Sequence, residues 1–85
     1  MTRVEPEEAR TMRNALRRAI AVVEQKYGSR ARAAAAMGVS RQLVQGWITW
    51  GRVSSGKTLL LEEHSGISRH DLRPDLYRHE TTSAA

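Results

Sequence analysis

The sequence contains no cysteine and no phenylalanine, and only two tryptophans, two tyrosines and two prolines among its 85 residues. Without cysteine there is neither a disulfide framework nor a thiolate metal site, and the three histidines lack the spacing of zinc ligands. No apolar run approaches the ~20 residues of a membrane helix, and none follows the N-terminal charges as in a secretory signal. These absences favour a cytoplasmic protein without membrane contact, bound metal or other cofactor.

The length also limits the kinds of function to be expected. A chain of 85 residues forms a single domain with a small core and little room for a deep catalytic cleft. His70 and Asp71 are adjacent, but no serine completes a catalytic triad with them. We therefore expect neither an enzyme nor a small-molecule substrate.

The charge is unevenly distributed along the chain. Between Arg10 and Lys57 there are ten lysine or arginine residues and a single acidic residue, Glu24. The flanking segments hold four arginines against eight acidic residues, so the middle carries +9 and the ends −4 of the total +5. Such a basic segment is typical of nucleic-acid-binding proteins, although an arginine-rich solvated surface is the alternative interpretation.

Apolar spacing, serine caps and glycine stops predict a compact all-α domain of four to five helices, with no strand. The predicted helices run over about 7–27, from the Ser29 cap to Met37, from the Ser40 cap over 41–50, from Ser54 or Ser55 to Gly66, and over about 69–73. We expect a flexible N-terminus at 1–8, the domain at 9–78 and a disordered tail at 79–85.

The segment Arg30 to Thr49 has the pattern of a helix-turn-helix. Gly38 supplies the positive φ of a tight turn, and Val39 can fill the corner beside it. The close approach and the angle between the helices are expected to depend on three further residues, namely Ala34, Val44 and Trp47. In this motif the second helix lies in the major groove, with its N-terminal residues at the base edges.

These positions predict two sets of DNA contacts. The residues expected at base edges are Ser40, Arg41, Gln42, Gln45 and Thr49. The residues expected at phosphates, near a helix N-terminus or beside the groove-reading helix, are Ser29, Arg30, Arg52 and Lys57. Gly46 either lets the helix approach DNA closely or is merely a weak helix former. Trp50 either covers the edge of the core or is half exposed at a dimer interface.

Three stretches resemble the YdaS-type, Cro-like phage regulators and antitoxins: GSRARAAAAMGVSRQLVQGW (28–47), GRVSSGKTLLLEEHSG (51–66) and SRHDLRPDLY (68–77). The resemblance implies a λ-repressor-like domain that binds operator DNA as a homodimer in a prophage or toxin–antitoxin setting. Two positions depart from the family pattern. Ala33 replaces a larger aliphatic residue and Ser54 replaces a common proline, which predicts looser helix packing and a looser loop.

The leading hypothesis is a sequence-specific transcriptional repressor or autoregulating antitoxin that acts by binding double-stranded operator DNA. The alternative is a protein-interaction antitoxin that neutralises a toxin partner through residues 59–77. An RNA-binding protein is less consistent with the sequence, because single-stranded RNA recognition usually needs exposed aromatic residues and this chain has few aromatics.

Overall fold

The computed structural model describes residues 6–77, which form five α-helices, one short 3₁₀-helix and no strand. The helices are α1 (Pro6–Tyr27), α2 (Arg30–Met37), α3 (Arg41–Trp50), α4 (Thr58–Ser65) and α5 (Arg69–Leu72), with the 3₁₀-helix at Ser55–Lys57. The all-α prediction is confirmed. Among the described residues, no helix combines the length and apolar character needed to cross a membrane.

The structure differs from the predicted boundaries at two places. Helix α1 begins at Pro6, one residue before the predicted start at about residue 7. Proline fits the first turn of a helix, and Glu7 and Glu8 are favoured by the positive end of the helix dipole. The other difference is at α4, which begins at Thr58 because Ser55–Lys57 forms a 3₁₀ turn. The predictions for residues 1–5 and for the tail at 79–85 lie outside the described residues.

Helix α1 is the centre of the domain and contacts each of the other four α-helices. One face of α1 is buried, comprising Met12, Ala15, Leu16, Ala19, Ile20 and Val23. On α2, Ala33 and Ala34 are each only 2% exposed, so small side chains here accompany close packing of the two helices. The looser packing predicted from Ala33 stays a prediction.

Trp47 fixes α3 against this core. Its side chain is 0% exposed, and its indole Nε1 donates a hydrogen bond to Ser54 Oγ at 3.2 Å. Val44, one turn earlier on the same face, is 1% exposed. The bond to Ser54 ties the loop after α3 to the helix itself, because the indole N–H is a donor that needs a partner when buried.

The C-terminal segment closes the domain through Arg73, which is 9% exposed. Its Nη1 donates to the Val53 backbone oxygen at 2.8 Å, while Nε and Nη2 donate to the two oxygens of the Asp75 carboxylate at 2.9 and 2.7 Å. These hydrogen bonds from Arg73 lower the pKa of Asp75 below its ordinary value. The segment after α5 is therefore joined to the loop after α3.

We predict that Asp75→Asn lowers the free energy of unfolding by about 1 to 2 kcal/mol at pH 7, because Arg73 loses its charged acceptor. Because folding lowers the pKa of Asp75, its carboxylate stabilises the fold fully at pH values above 3.8, the ordinary pKa of aspartate. That stabilisation is lost as the pH falls through the lower pKa that Asp75 has in the folded protein. The difference in melting temperature between the two proteins should therefore shrink below about pH 4.

Glu63→Gln is the matched control, because Glu63 is an exposed carboxylate on α4. Its melting temperature at pH 7 should equal that of the unmodified chain. The melting temperatures of Asp75→Asn and the unmodified chain should be compared from about pH 7 to about pH 2.5, a range that includes the ordinary pKa of a carboxyl group. A difference between them that stays constant over this range would contradict the prediction.

Candidate functional site

The turn between α2 and α3 is built around Gly38. Gly38 has φ 74° and ψ 26°, a left-handed conformation that side-chain-bearing residues rarely adopt. The next amide, of Val39, donates to the Ala34 carbonyl at 3.0 Å, which closes the end of α2. Ser40 then starts α3, with its Oγ accepting from the Leu43 amide at 3.0 Å. The turn is therefore short, and its backbone groups are paired locally.

Helix α3 has a buried face and an exposed face. Val44 and Trp47 point into the core, whereas the polar side chains on the other side are exposed, namely Arg41, Gln42, Gln45 and Thr49. No acidic residue occurs anywhere in this helix. The side of α3 that carries these four residues is thus polar or basic.

An open cleft of about 560 Å³ lies between the N-terminal part of α2 and the exposed face of α3. It is lined by Glu24, Ser29, Arg30, Ala31, Arg41, Gln42 and Gln45. Five of the nine residues predicted to contact DNA meet here. The other four do not line this cleft, and they are Ser40, Thr49, Arg52 and Lys57.

Inside the cleft, Arg30 connects α1, α2 and α3. Its Nε donates to the Glu24 carboxylate at the end of α1, and its Nη1 donates to Gln45 Oε1 on α3 at 2.9 Å. Glu24 is the single acidic residue between Arg10 and Lys57, and here its charge is balanced by Arg30. The pattern of the sequence did not indicate this role for Glu24, because Arg30 lies six positions later and beyond a helix break.

The three hydroxyl groups among the predicted contacts all have local partners. Ser29 Oγ accepts from the Arg32 amide at 3.1 Å at the start of α2, and Ser40 does the same at the start of α3. Thr49 Oγ1 donates to the Gln45 carbonyl one turn earlier at 3.1 Å. The two serines therefore serve as helix caps.

Arg52 lies after α3, in a second open cleft of about 300 Å³ lined by Trp50, Arg52, Val53, Ser54, Ser55 and Arg73. Trp50 is 61% exposed, so it does not cover the edge of the core. Lys57 ends the 3₁₀-helix and is partly buried. Within residues 6–77, no three histidine, aspartate or glutamate side chains lie close enough to hold a metal ion.

The sequence over this fold matches a family model described as Bacterial toxin YdaS, from residue 14 to residue 81. The chain belongs to the YdaS family. The match begins within α1 and includes all of α2 to α5, so it covers the candidate cleft and the core that supports it. No curated protein and no solved structure gives a significant match.

The resemblance predicted from the three stretches of sequence is thus confirmed. Membership of the YdaS family connects the chain with bacterial toxins and hence with a toxin-related role. In this YdaS-family member, the residues gathered in the cleft are mostly cationic or amide side chains.

Two glycine-to-alanine substitutions should have opposite effects on stability. Gly38→Ala should destabilise the fold by about 1 to 2 kcal/mol, because alanine disfavours the left-handed backbone. A Cβ at Gly38 would meet no atom within 4 Å, so crowding adds nothing to that cost. Gly46→Ala should stabilise α3 by about 0.5 to 1 kcal/mol, since Gly46 is helical and its new Cβ would meet only Trp50, at 4.0 Å.

Urea unfolding of both variants beside the unmodified chain measures these effects. Each variant is the control for the other, because both add one methyl group in place of a hydrogen. A Gly38→Ala variant as stable as the Gly46→Ala variant would show that the turn does not depend on the left-handed conformation of Gly38.

Proposed function

We propose that this YdaS-family protein is a sequence-specific DNA-binding regulator, a Cro-like repressor or autoregulating antitoxin. Helix α3 would enter the major groove as the second helix of a helix-turn-helix. The observation that carries the proposal is the exposed face of α3, where Arg41, Gln42 and Gln45 are presented together and no carboxylate stands on the helix.

The dimensions and chemistry of the groove fit this face. The major groove is about 12 Å wide and admits an α-helix, whose first residues then reach the base edges. Arginine can bond guanine O6 and N7 together, and glutamine can bond adenine N6 and N7. Arg41 and Gln42 stand in the first turn of α3 and are exposed, as such contacts require.

Phosphate binding is supported by features that precede and follow α3 in the chain. The start of α2, capped by Ser29, offers amide hydrogens and the positive end of a helix dipole. Arg52 and Lys57 follow α3 in the chain and carry two positive charges. The segment 10–57 carries +9 in all, which attracts a polyanion before any specific contact forms.

The regulator would act by occluding a promoter and would perform no chemistry of its own. A homodimer would read two half-sites about 34 Å apart, one turn of the duplex. Operators are found where the genome is, which makes the bacterial cytoplasm the proposed location.

A second candidate is an antitoxin that binds a toxin through residues 59–77. The family description supports a toxin-related setting, and Leu59 and Leu76 are each 46% exposed. However, Leu61 and Leu72 in the same segment are 0% exposed and belong to the core. Fewer apolar side chains are therefore left for a partner than the sequence suggested.

DNA binding should be measured by titrating labelled promoter duplex at several salt concentrations. If Arg52 and Lys57 neutralise two phosphates per protomer, log K should fall with log[salt] with a slope of about −2 for one protomer and −4 for a dimer. An affinity that does not change with salt would contradict the proposal, because phosphate contacts release counterions.

Single alanine substitutions should separate base contacts from phosphate contacts. Arg41→Ala or Gln42→Ala should cost about 1 to 3 kcal/mol of binding on the preferred sequence and relax specificity at one base pair. Lys57→Ala should weaken binding to all duplexes alike and reduce the salt slope by about 1. Equal effects of Gln42→Ala on specific and random duplexes would place Gln42 away from the bases.

The second candidate is tested by co-expression with the product of the neighbouring gene. Co-purification that is lost on Leu59→Glu and Leu76→Glu substitution would support a toxin-binding surface. Purification of the chain alone, with intact promoter binding, would leave the DNA-binding proposal as the better one.

A further inference from the structure

The hydrogen bond between Arg30 and Gln45 determines which way the Gln45 amide faces. A guanidinium group has only donors, so the atom that meets Arg30 Nη1 must be the carbonyl oxygen of the amide. The structure has this arrangement, with Nη1 and Gln45 Oε1 2.9 Å apart. The Gln45 oxygen is therefore directed to α2, and its Nε2 amino group is left to donate elsewhere in the open cleft.

We propose that Arg30 sets the base preference of Gln45 and makes this position select guanine over adenine, an inference that rests on the proposed DNA-binding function. A free glutamine selects adenine, because it accepts from N6 and donates to N7 at the same time. Arg30 occupies one lone pair of the Gln45 oxygen and turns that oxygen to α2, so that the Nε2 amino group is the part of Gln45 presented to the base. Guanine offers two acceptors to a donor, N7 and O6, whereas adenine offers one acceptor beside a competing donor.

The charge of Arg30 acts in the same direction. A cation beside the base edge attracts the electronegative O6 and N7 of guanine and repels the amino hydrogens of adenine. The Glu24 carboxylate anchors the guanidinium from the other side, and the two side chains are only 37% and 30% exposed. The arrangement exists before DNA is present, so little side-chain freedom is lost at that position on binding.

This role differs from the phosphate contact that the sequence suggested for Arg30. Two of its nitrogens are already donating to Glu24 and Gln45 in the unbound chain. Arg30 is therefore a positioning residue, which acts on the base through Gln45. Its loss should change which base is preferred, and not the number of phosphates that are neutralised.

The test is selection of bound duplexes from a random pool, followed by competition titrations on the selected site. The Gln45→Ala variant identifies the base pair that Gln45 contacts, because the sequence preference at that pair should disappear in this variant. In the unmodified chain that pair should be guanine-specific. Arg30→Ala should lower the guanine-over-adenine preference there by about tenfold, leave the other base pairs unchanged and leave the salt slope unchanged.

Arg32→Ala is the matched control, because it removes one positive charge from the same helix at an exposed site. It should keep the guanine preference at the Gln45 pair. Arg30→Met, which keeps a long side chain and good helix propensity, replaces Arg30→Ala if melting shows that the alanine variant is unfolded.

Two results would overturn the inference and leave the proposed function standing. The first is an adenine preference at the Gln45 pair in the unmodified chain. The second is an Arg30→Ala variant that keeps its base preference but has a salt slope smaller by about 1, which would make Arg30 a phosphate contact. An unmodified chain that binds no duplex would overturn the proposed function as well.

Discussion

The burial of Trp47 is the constraint on which the rest of the molecule depends. Trp47 supplies the largest side chain in a core that has no phenylalanine, and it is fully enclosed with its indole nitrogen bonded to Ser54. A helix anchored by one large side chain cannot rotate about its axis without exposing that surface to water. The exposure of Arg41, Gln42 and Gln45 is therefore a consequence of the packing on the opposite face of α3.

Glu24, the acidic residue within the basic segment, also helps to fix the geometry of the cleft. Glu24 would repel phosphate if it stood alone, but it is paired with Arg30 at the mouth of the cleft. One arginine is thereby removed from the general positive field and placed in a defined position beside Gln45. The charged side chains in this region therefore position Gln45 as well as attract a polyanion.

The features that the sequence predicted well are local ones. Ser29, Ser40 and the left-handed Gly38 determine where α2 and α3 begin and end, and each acts within about four residues of chain, the span of a helix cap. The same holds for the apolar spacing that placed Trp47 in the core. What could not be predicted depends on residues distant in sequence, such as Arg73 bonding the Val53 carbonyl 20 positions earlier, and Arg30 bonding Gln45. No periodic pattern encodes such pairs, because they arise only when the helices are assembled.

The sequence resemblance implies a common proline at the position of Ser54, and the hydrogen bond from the Trp47 indole shows what the serine contributes there. The backbone of Ser54 has φ −65°, the angle that a proline ring imposes, so the loop already has the shape that proline would enforce. A Ser54→Pro substitution would stiffen the unfolded chain and contribute about 0.4 to 1 kcal/mol to stability. It would also remove the oxygen that accepts from Trp47, and an unsatisfied buried donor costs about 1 to 3 kcal/mol. Ser54 and Trp47 therefore constrain each other, and a Ser54→Pro substitution would require a new acceptor for the indole.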